Sequence, residues 1–167
     1  MTMTEVLHQL VGALREELQH YGEMLALLDQ QQESAVGRLA EEMFAATTAI
    51  QNQSVSMQGI RRDRERAQRS LACALGVVET STFVELIPLL PADYRPLVRS
   101  LVDENNSLLQ QVQQRARQNH LLLSRSVELM QRFLAMLLPA RGTQVYNEHG
   151  NRELHALPSP PLYEAVG

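Results

Sequence analysis

A few side chains in this sequence have types and spacings that could perform chemistry. Glu16 and His20 lie four residues apart, and on a helix this spacing can hold a metal ion. The sequence places no third ligand beside them and contains no HExxH motif, and the other histidines are scattered. We therefore expect no metal site and no bound cofactor.

The run RRDRERAQR, residues 61–69, concentrates arginine as a nucleic-acid-binding patch would. Asp63 and Glu65 interrupt it, and Glu65 and Arg69 have the spacing of a favourable helical ion pair. The whole chain has 15 basic residues against 19 acidic ones, a net charge of −4. We interpret the run as a solvated helix end and expect no nucleic-acid partner.

Nucleophilic chemistry has little support in this sequence. The single cysteine, Cys73, excludes an internal disulfide, and its apolar setting SLACALG favours a small packed hydrophobe over a reactive thiol. The chain contains no Gly-rich phosphate loop and no nucleophile elbow. A thin helical bundle rarely forms a rigid concave site, so we expect that the protein is not an enzyme.

The elements that must carry these residues are helices. Thr2 and Glu5 have capping-box spacing, which predicts a helix start near residue 3. Apolar residues then recur at steps of three and four, as one helix face requires: Leu7, Leu10, Leu14, Leu18, Tyr21, Leu25 and Leu28. Gly37 favours a turn near residues 33–38. One helix continuing to residue 75 remains an alternative, because the stripe stays in phase.

The second and later helices have their own boundary signals. The stripe resumes in the following residues: Val36, Leu39, Met43, Ala46, Ile50, Met57, Ile60, Leu71 and Leu75. Gly76 predicts its end. Thr82 and Glu85 predict a short capped helix, and the prolines after it predict a kinked connection to a new helix starting near residues 92–96.

The last helix has the longest uninterrupted pattern and ends at Pro139. Its near-heptad positions are Leu97, Leu101, Asn105, Leu108, Val112, Arg115, Asn119, Leu122, Ser126, Leu129, Phe133 and Leu137. Extra leucines beside this stripe indicate more than one neighbour. The pattern predicts an all-α fold, an elongated antiparallel bundle of about three long helices over residues 1–138.

Residues 139–167 differ in composition from the rest of the chain. Glycines and the PSPP run of 158–161 interrupt any helix, which predicts a flexible tail. No stretch has the length and apolarity of a membrane span, and the first residues do not form a signal peptide. We expect a cytoplasmic protein without membrane insertion.

Asn105 and Asn119 lie on the apolar stripe of the last helix. Asparagine on a helical seam lowers stability but fixes register and the number of partners, and we expect that role for both. The alternative is that part of this face stays open to receive another protein.

The asparagines also lie in a segment that resembles a known family. The stretch ENNSLLQQVQQRARQNHLLLSRSVELMQRFLAML, followed by TQVYNEHG, is similar to the C-terminal half of FlgN-type flagellar type III secretion chaperones. Asn105 or Asn106, Leu108, Leu109, Tyr146 and Gly150 match that family's pattern. The segments YGEMLALLDQQQESAVGRLAEEM and GIRRDRERAQRSLACALG resemble its first two helices.

The resemblance implies a flagellar export chaperone that binds hook-associated proteins, which join hook and filament. Such a chaperone masks client termini that are disordered before assembly, prevents premature association and delivers the client to the export apparatus. Components of the export gate or its ATPase are candidate further partners, and self-association is open. The alternative is a structural coiled-coil adaptor or oligomerisation protein that has no export client.

We expect client binding at the end of the last helix and in the tail. Met and Phe suit a surface that accepts a foreign helix, and the tail contains hydrophobes with no core to bury them. The candidate partner-binding residues are Leu129, Phe133, Met136, Leu137, Val145, Tyr146, Leu154, Leu157, Leu162 and Tyr163. The alternative is that Phe133 and its neighbours only cap the bundle core and the tail is inert.

Overall fold

The computed structural model describes residues 2–137, 144–146 and 152–154. Its long helices are α1 (Met3–Gly37), α2 (Ala40–Ala74) and α4 (Arg95–Leu137). The short helix α3 (Phe83–Leu86) and a 3-10 turn (Ile87–Leu89) lie between α2 and α4. The predicted all-α helical bundle is confirmed.

Two short strands add to the predicted elements. Strands β1 (Gln144–Tyr146) and β2 (Arg152–Leu154) pair antiparallel, with Val145 opposite Glu153. The chain divides into two compact units, Met1–Leu123 and Ser124–Gly167, and the boundary falls within α4. The division at residues 138 and 139, between a bundle and a client-binding tail, stays a prediction.

The start of α1 follows from its sequence. The Glu5 backbone N–H donates to Thr2 Oγ1 at 3.3 Å, and the Thr2 N–H donates to Glu5 Oε2 at 2.7 Å. This reciprocal capping box satisfies amides that have no partner inside the helix. The predicted helix start is confirmed.

The predicted turn near residues 33–38 is also confirmed, and a single helix to residue 75 is excluded. Arg38 takes the left-handed conformation, with φ of 57°, directly after Gly37. The backbone N–H of Leu39 then donates to the Ser34 carbonyl at 2.9 Å, which closes the end of α1.

The later boundaries agree with the sequence as well. Gly76 has a φ of 72° just after the end of α2, as the predicted stop requires. Thr82 and Glu85 form the predicted capping box of α3, and the Thr82 N–H donates to Glu85 Oε2 at 2.8 Å. Helix α4 begins at Arg95, inside the predicted range.

Helices α1 and α2 run antiparallel. Gln31, near the end of α1, donates to Thr47 Oγ1 at 2.9 Å near the start of α2. Glu17, in the middle of α1, accepts from Arg64 at 3.2 Å near the end of α2. Residue numbers that rise on one helix therefore fall on the other.

Helix α4 runs parallel to α1. Asn105 donates to the Leu14 carbonyl at 2.9 Å, and Asn119 donates to the Leu28 carbonyl at 2.7 Å. Both members of the second pair lie 14 residues after those of the first, so the helices keep one register over two heptads.

The core of residues 2–123 consists of two clusters of apolar side chains. The larger one joins α1, α2, the α3 region and the start of α4 through Val6, Leu7, Leu10, Val11, Leu14, Leu71, Ala72, Leu86, Ile87, Leu90, Val98 and Leu101. The smaller one contains Tyr21, Met24, Leu28 and Val112. Most predicted stripe residues of α1 are therefore in the core.

Some predicted stripe positions are wrong. Val36 is 70% exposed and Leu39 is 47% exposed, because they flank the turn that connects α1 and α2. On α4, Leu97 is 37% exposed and its neighbour Val98 is fully buried.

The interpretation of Cys73 as a packed hydrophobe is wrong as well. The side chain is exposed, and its Sγ donates to Glu79 Oε1 at 3.6 Å. Desolvation, and then the hydrogen bond and negative charge of Glu79, raise the pKa of the Cys73 thiol. The thiolate is therefore disfavoured at neutral pH.

Candidate functional site

Asn105 and Asn119 are both buried on the face that α4 presents to α1, with exposures of 6% and 2%. The Asn105 amide donates to the carbonyls of Leu14 and Leu101, both at 2.9 Å. One of these carbonyls belongs to α1 and the other to the preceding turn of α4. The amide therefore ties the two helices together directly.

Asn119 is bonded in nearly the same way. Its amide donates to the Leu28 carbonyl at 2.7 Å and to Gln31 Oε1 at 3.0 Å. Within the described part of the chain, neither Asn105 Oδ1 nor Asn119 Oδ1 has a hydrogen-bond partner. An unpaired buried acceptor costs free energy, which offsets part of what the two donated bonds of each amide contribute. The register role of both asparagines stays a prediction.

Arg115, a third polar residue of the predicted stripe, lies at the edge of the seam. Its Nε is 3.1 Å from Asp29 Oδ1, and its Nη1 donates to Gln32. Both members of the ion pair keep over a third of their side-chain surface exposed. The Arg115–Asp29 pair therefore contributes little to the free energy of unfolding, and its main effect is to orient α4 against α1.

A buried polar network connects α1 and α2. Glu17 and Tyr21 are only 6% and 3% exposed. The Tyr21 hydroxyl donates to Glu17 Oε1 at 3.0 Å, and Arg61 Nη2 donates to that hydroxyl oxygen at 3.3 Å. Arg64 Nε donates to Glu17 Oε2 at 3.2 Å. The buried carboxylate is thus neutralised and hydrogen-bonded at both oxygens.

The network shifts the protonation equilibria of its members. Burial is the largest reason that the pKa of Tyr21 is raised, and the nearby Glu17 charge acts in the same direction. The hydrogen bond from Arg61 opposes this shift but does not reverse it. Tyr21 is therefore a neutral hydroxyl at physiological pH, and it bridges an acid and a base.

The same network reaches the connection between α2 and α4. Arg64 Nη1 donates to Gln68 Oε1 at 2.8 Å, and Gln68 Nε2 donates to the Ser81 carbonyl at 2.9 Å. The guanidinium carbon of Arg64 also lies 5.9 Å from the centroid of the Phe83 ring. These contacts hold α3 against the end of α2.

The interpretation of residues 61–69 as a solvated helix end is therefore wrong for Arg64, whose side chain is only 19% exposed and bonds Glu17 of α1. Arg61 stays exposed as predicted, although it also donates to Tyr21. The predicted Glu65–Arg69 pair is replaced by a bond from Arg69 Nε to the Glu65 backbone carbonyl, at 3.4 Å. The sequence does contain a signal for the Glu17–Arg64 contact. Glu17 lies three residues after Leu14 and four before Tyr21, beside the predicted stripe, and a buried acid requires a basic partner.

His20, one half of the candidate metal pair, has other partners. Its Nδ1 lies 2.8 Å from Gln53 Nε2 and 3.4 Å from Glu23 Oε2. The hydrogen bonds from Gln19 and Gln53 lower the pKa of Glu23. Among the described residues, no group of three or more His, Cys, Asp or Glu side chains is arranged to hold a metal ion.

The predicted client-binding residues of α4 are exposed where their side chains are described. Leu129 is 65% exposed, Phe133 59% and Met136 78%. Sequence reasoning missed three further exposed hydrophobes in the same turns, Val127 at 56%, Met130 at 65% and Leu134 at 48%. The sequence does indicate them, because Val127, Met130 and Leu134 recur at steps of three and four residues beside the near-heptad stripe.

The remaining predicted residues are described only in part or not at all. The backbones of Val145, Tyr146 and Leu154 lie in the β1–β2 hairpin, and the backbone of Leu137 ends α4. Their side chains lie outside the described part of the chain, as do the whole residues Leu157, Leu162 and Tyr163.

None of the helices in the described ranges combines the length and apolarity that crossing a membrane requires.

Comparison with known proteins identifies the family. No curated protein matches the chain. No solved structure matches it either. The sequence model of the FlgN protein family matches residues 1–153, which is most of the 167-residue chain. This match covers all three long helices, strand β1 and all but the last residue of strand β2. The chain therefore belongs to the FlgN family, a family of flagellar export chaperones.

Proposed function

We propose that this protein is a cytoplasmic chaperone for hook-associated flagellar proteins and that it delivers them to the flagellar type III export apparatus. The observation that carries the proposal is the exposed apolar surface of α4, where Leu129, Phe133 and Met136 are each more than half exposed. Soluble proteins rarely leave such a surface uncovered without a partner. In a family of flagellar export chaperones, the expected partner is a flagellar export substrate.

The chemistry of the surface suits a client helix. An amphipathic helix can lay its apolar stripe along α4, as in other helix-in-groove complexes. Met136 and Phe133 adapt to different apolar partners, because thioether and ring contacts tolerate imperfect packing. Binding of this kind uses no nucleotide and no metal ion, and it masks the surface through which unassembled clients would associate.

The tail completes the proposed site. Val145, Tyr146, Leu154, Leu157 and Leu162, together with Tyr163, place hydrophobes directly after α4 in the chain. A tail that orders on the client would lower the net affinity by its ordering cost, which keeps release to the export gate or its ATPase feasible.

Removal of the tail tests this proposal. A chain truncated after Leu138 is compared with the full chain for binding to a purified hook-associated protein by titration calorimetry. We expect unchanged helicity and melting, with binding lost. Binding equal to that of the full chain would show that the tail does not take part.

A pair of phenylalanines supplies the matched control. Phe133→Gln alters the proposed surface, whereas Phe44→Gln alters α2 at a side chain that is 75% exposed. We expect only the first to weaken client binding and to stop the chain from suppressing client self-association, measured by light scattering. A chain that binds no hook-associated protein at all would instead favour the coiled-coil adaptor.

A further inference from the structure

The exposed apolar surface at the end of α4 is wide. Six hydrophobes are exposed there, and they form two groups that we call the first stripe and the second stripe. The first stripe is Leu129, Phe133 and Met136, and the second stripe is Val127, Met130 and Leu134.

The angular positions of the two stripes follow from helix geometry. At about 100° per residue, each stripe spans about 60°, and together they cover about 180° of the helix circumference. Ser126 lies between them. An ordinary surface helix presents an apolar face of about 100° or more to its core. An arc of about 180° is wide enough for two neighbours that lie side by side.

The polar residues at the two edges differ in charge. Arg125 and Arg132 lie beside the first stripe, and Gln131 and Ser124 lie beside the second. Arg132 bonds Glu128 on its own helix. With that single acid, residues 121–137 carry a net charge of +1 in a chain whose net charge is −4. The first-stripe edge thus favours an acidic neighbour, and the second-stripe edge favours a neutral polar one.

We propose that the end of α4 binds two amphipathic helices of one client chain, an acid-bearing helix along the first stripe and a neutral one along the second. This inference rests on the proposed chaperone function and deepens it, since it defines two docking surfaces. Two helices from one molecule bind with the advantage of a high effective concentration, so each contact can be weak. Loss of either helix then releases the client.

Two neighbouring residues provide matched variants for the test. Leu129 and Met130 are both 65% exposed, and they belong to different stripes. The variants are Leu129→Gln, Met130→Gln and the double variant, with Val55→Gln on α2 as the control at 71% exposure. The probe is a purified hook-associated protein, and titration calorimetry measures the dissociation constant and the stoichiometry.

We expect a 1:1 complex. Each single variant should weaken binding about tenfold to a hundredfold, as the loss of one buried aliphatic contact implies. The two effects should multiply in the double variant, and Val55→Gln should bind like the unaltered chain. A Met130→Gln chain that behaves like the control overturns the proposal, because the second stripe then binds nothing.

Photo-crosslinking identifies what covers each stripe. Phe133 and Leu134 are replaced in turn by benzoylphenylalanine in the full chain, and crosslinked peptides from the client complex are sequenced. We expect Phe133 to mark an acidic helical segment of the client and Leu134 to mark a different segment of the same client molecule.

Three crosslinking results would overturn the two-helix proposal: one client segment at both positions, this chain's own residues 138–167 at Leu134, or a second copy of this chain at Leu134. Each of these leaves the chaperone function intact. Failure of the unaltered chain to bind the probe would instead overturn the proposed function itself.

Discussion

The two parts of α4, residues 95–123 and 124–136, have the same apolar periodicity, but the apolar face is buried in the first part and exposed in the second. In residues 95–123, Val98 is fully buried, Leu101 is 7% exposed and Val112 is 9% exposed. In residues 124–136, Leu129 and Met136 lie on the same kind of pattern but are 65% and 78% exposed. The repeat that predicts a helix therefore does not reveal whether its apolar face is internal or awaits a partner.

Polar residues are what distinguish the two parts. In the first part, Asn105 and Asn119 interrupt the apolar face and bond carbonyls of α1. In the second part, the charged residues Arg125, Glu128 and Arg132 all lie on the half of the helix opposite the apolar arc. An internal seam can hold amides that specify one partner, whereas an apolar arc without charged residues accepts partners that share only amphipathicity.

A pair of leucines should separate the two parts most clearly. Leu10 is fully buried in the core and Leu129 is 65% exposed. We expect Leu10→Ala to lower the free energy of unfolding by about 2–5 kcal/mol, because it leaves a cavity. Leu129→Ala should change it by less than about 0.5 kcal/mol. Urea unfolding followed by circular dichroism measures both, and a large cost at Leu129 would mean that this face is packed within the free protein.

Two ion pairs extend the comparison with a smaller effect. Glu17, at 6% exposure, neutralises Arg64, whereas Glu128 and Arg132 are both more than half exposed. Glu17→Gln should cost about 1–3 kcal/mol of unfolding free energy, because it removes the carboxylate 3.2 Å from the half-buried Arg64 guanidinium and leaves only the more distant Glu65 carboxylate, at 3.9 Å. Glu128→Gln should leave the free energy of unfolding nearly unchanged.

The same urea titrations test the ion pairs, and salt provides the control. The effect of Glu17→Gln should persist in high salt, since buried charges are weakly screened. Equal effects of the two substitutions would show that the network around Tyr21 does not stabilise the bundle.

Local signals made the helix boundaries predictable from the sequence. The capping boxes at Thr2 and Thr82 and the stop at Gly76 each depend on residues within a few positions, so a single sequence contains all the information they need. The turn after Gly37 belongs to the same class, although the left-handed residue is Arg38.

Interactions between distant residues were not predictable in the same way. The sequence marks Arg64 as exposed because its neighbours are charged, but its partial burial depends on Glu17, which lies 47 residues earlier. For the candidate site, the sequence identified the first stripe and missed the second. Exposure depends on the absence of a neighbouring helix, which periodicity does not encode.

The two seam asparagines give the smallest expected effect and the finest test of the comparison. Asn105→Leu removes a buried unpaired acceptor, and the two carbonyls that Asn105 bonds lie inside α1 and α4, where the helix itself supplies a backbone donor. We expect stability to rise by about 1 kcal/mol, with a broader range of oligomers because register is less specified. Asn119→Leu should raise stability by less, because it also removes the hydrogen-bond donor of Gln31 Oε1.

Thermal unfolding and light scattering after size-exclusion chromatography measure the stability and the oligomeric state of both variants. If Asn105→Leu is less stable and keeps a single sharp oligomeric state, the amide stabilises the seam instead of specifying it, and the contrast between the two parts of α4 must have another cause.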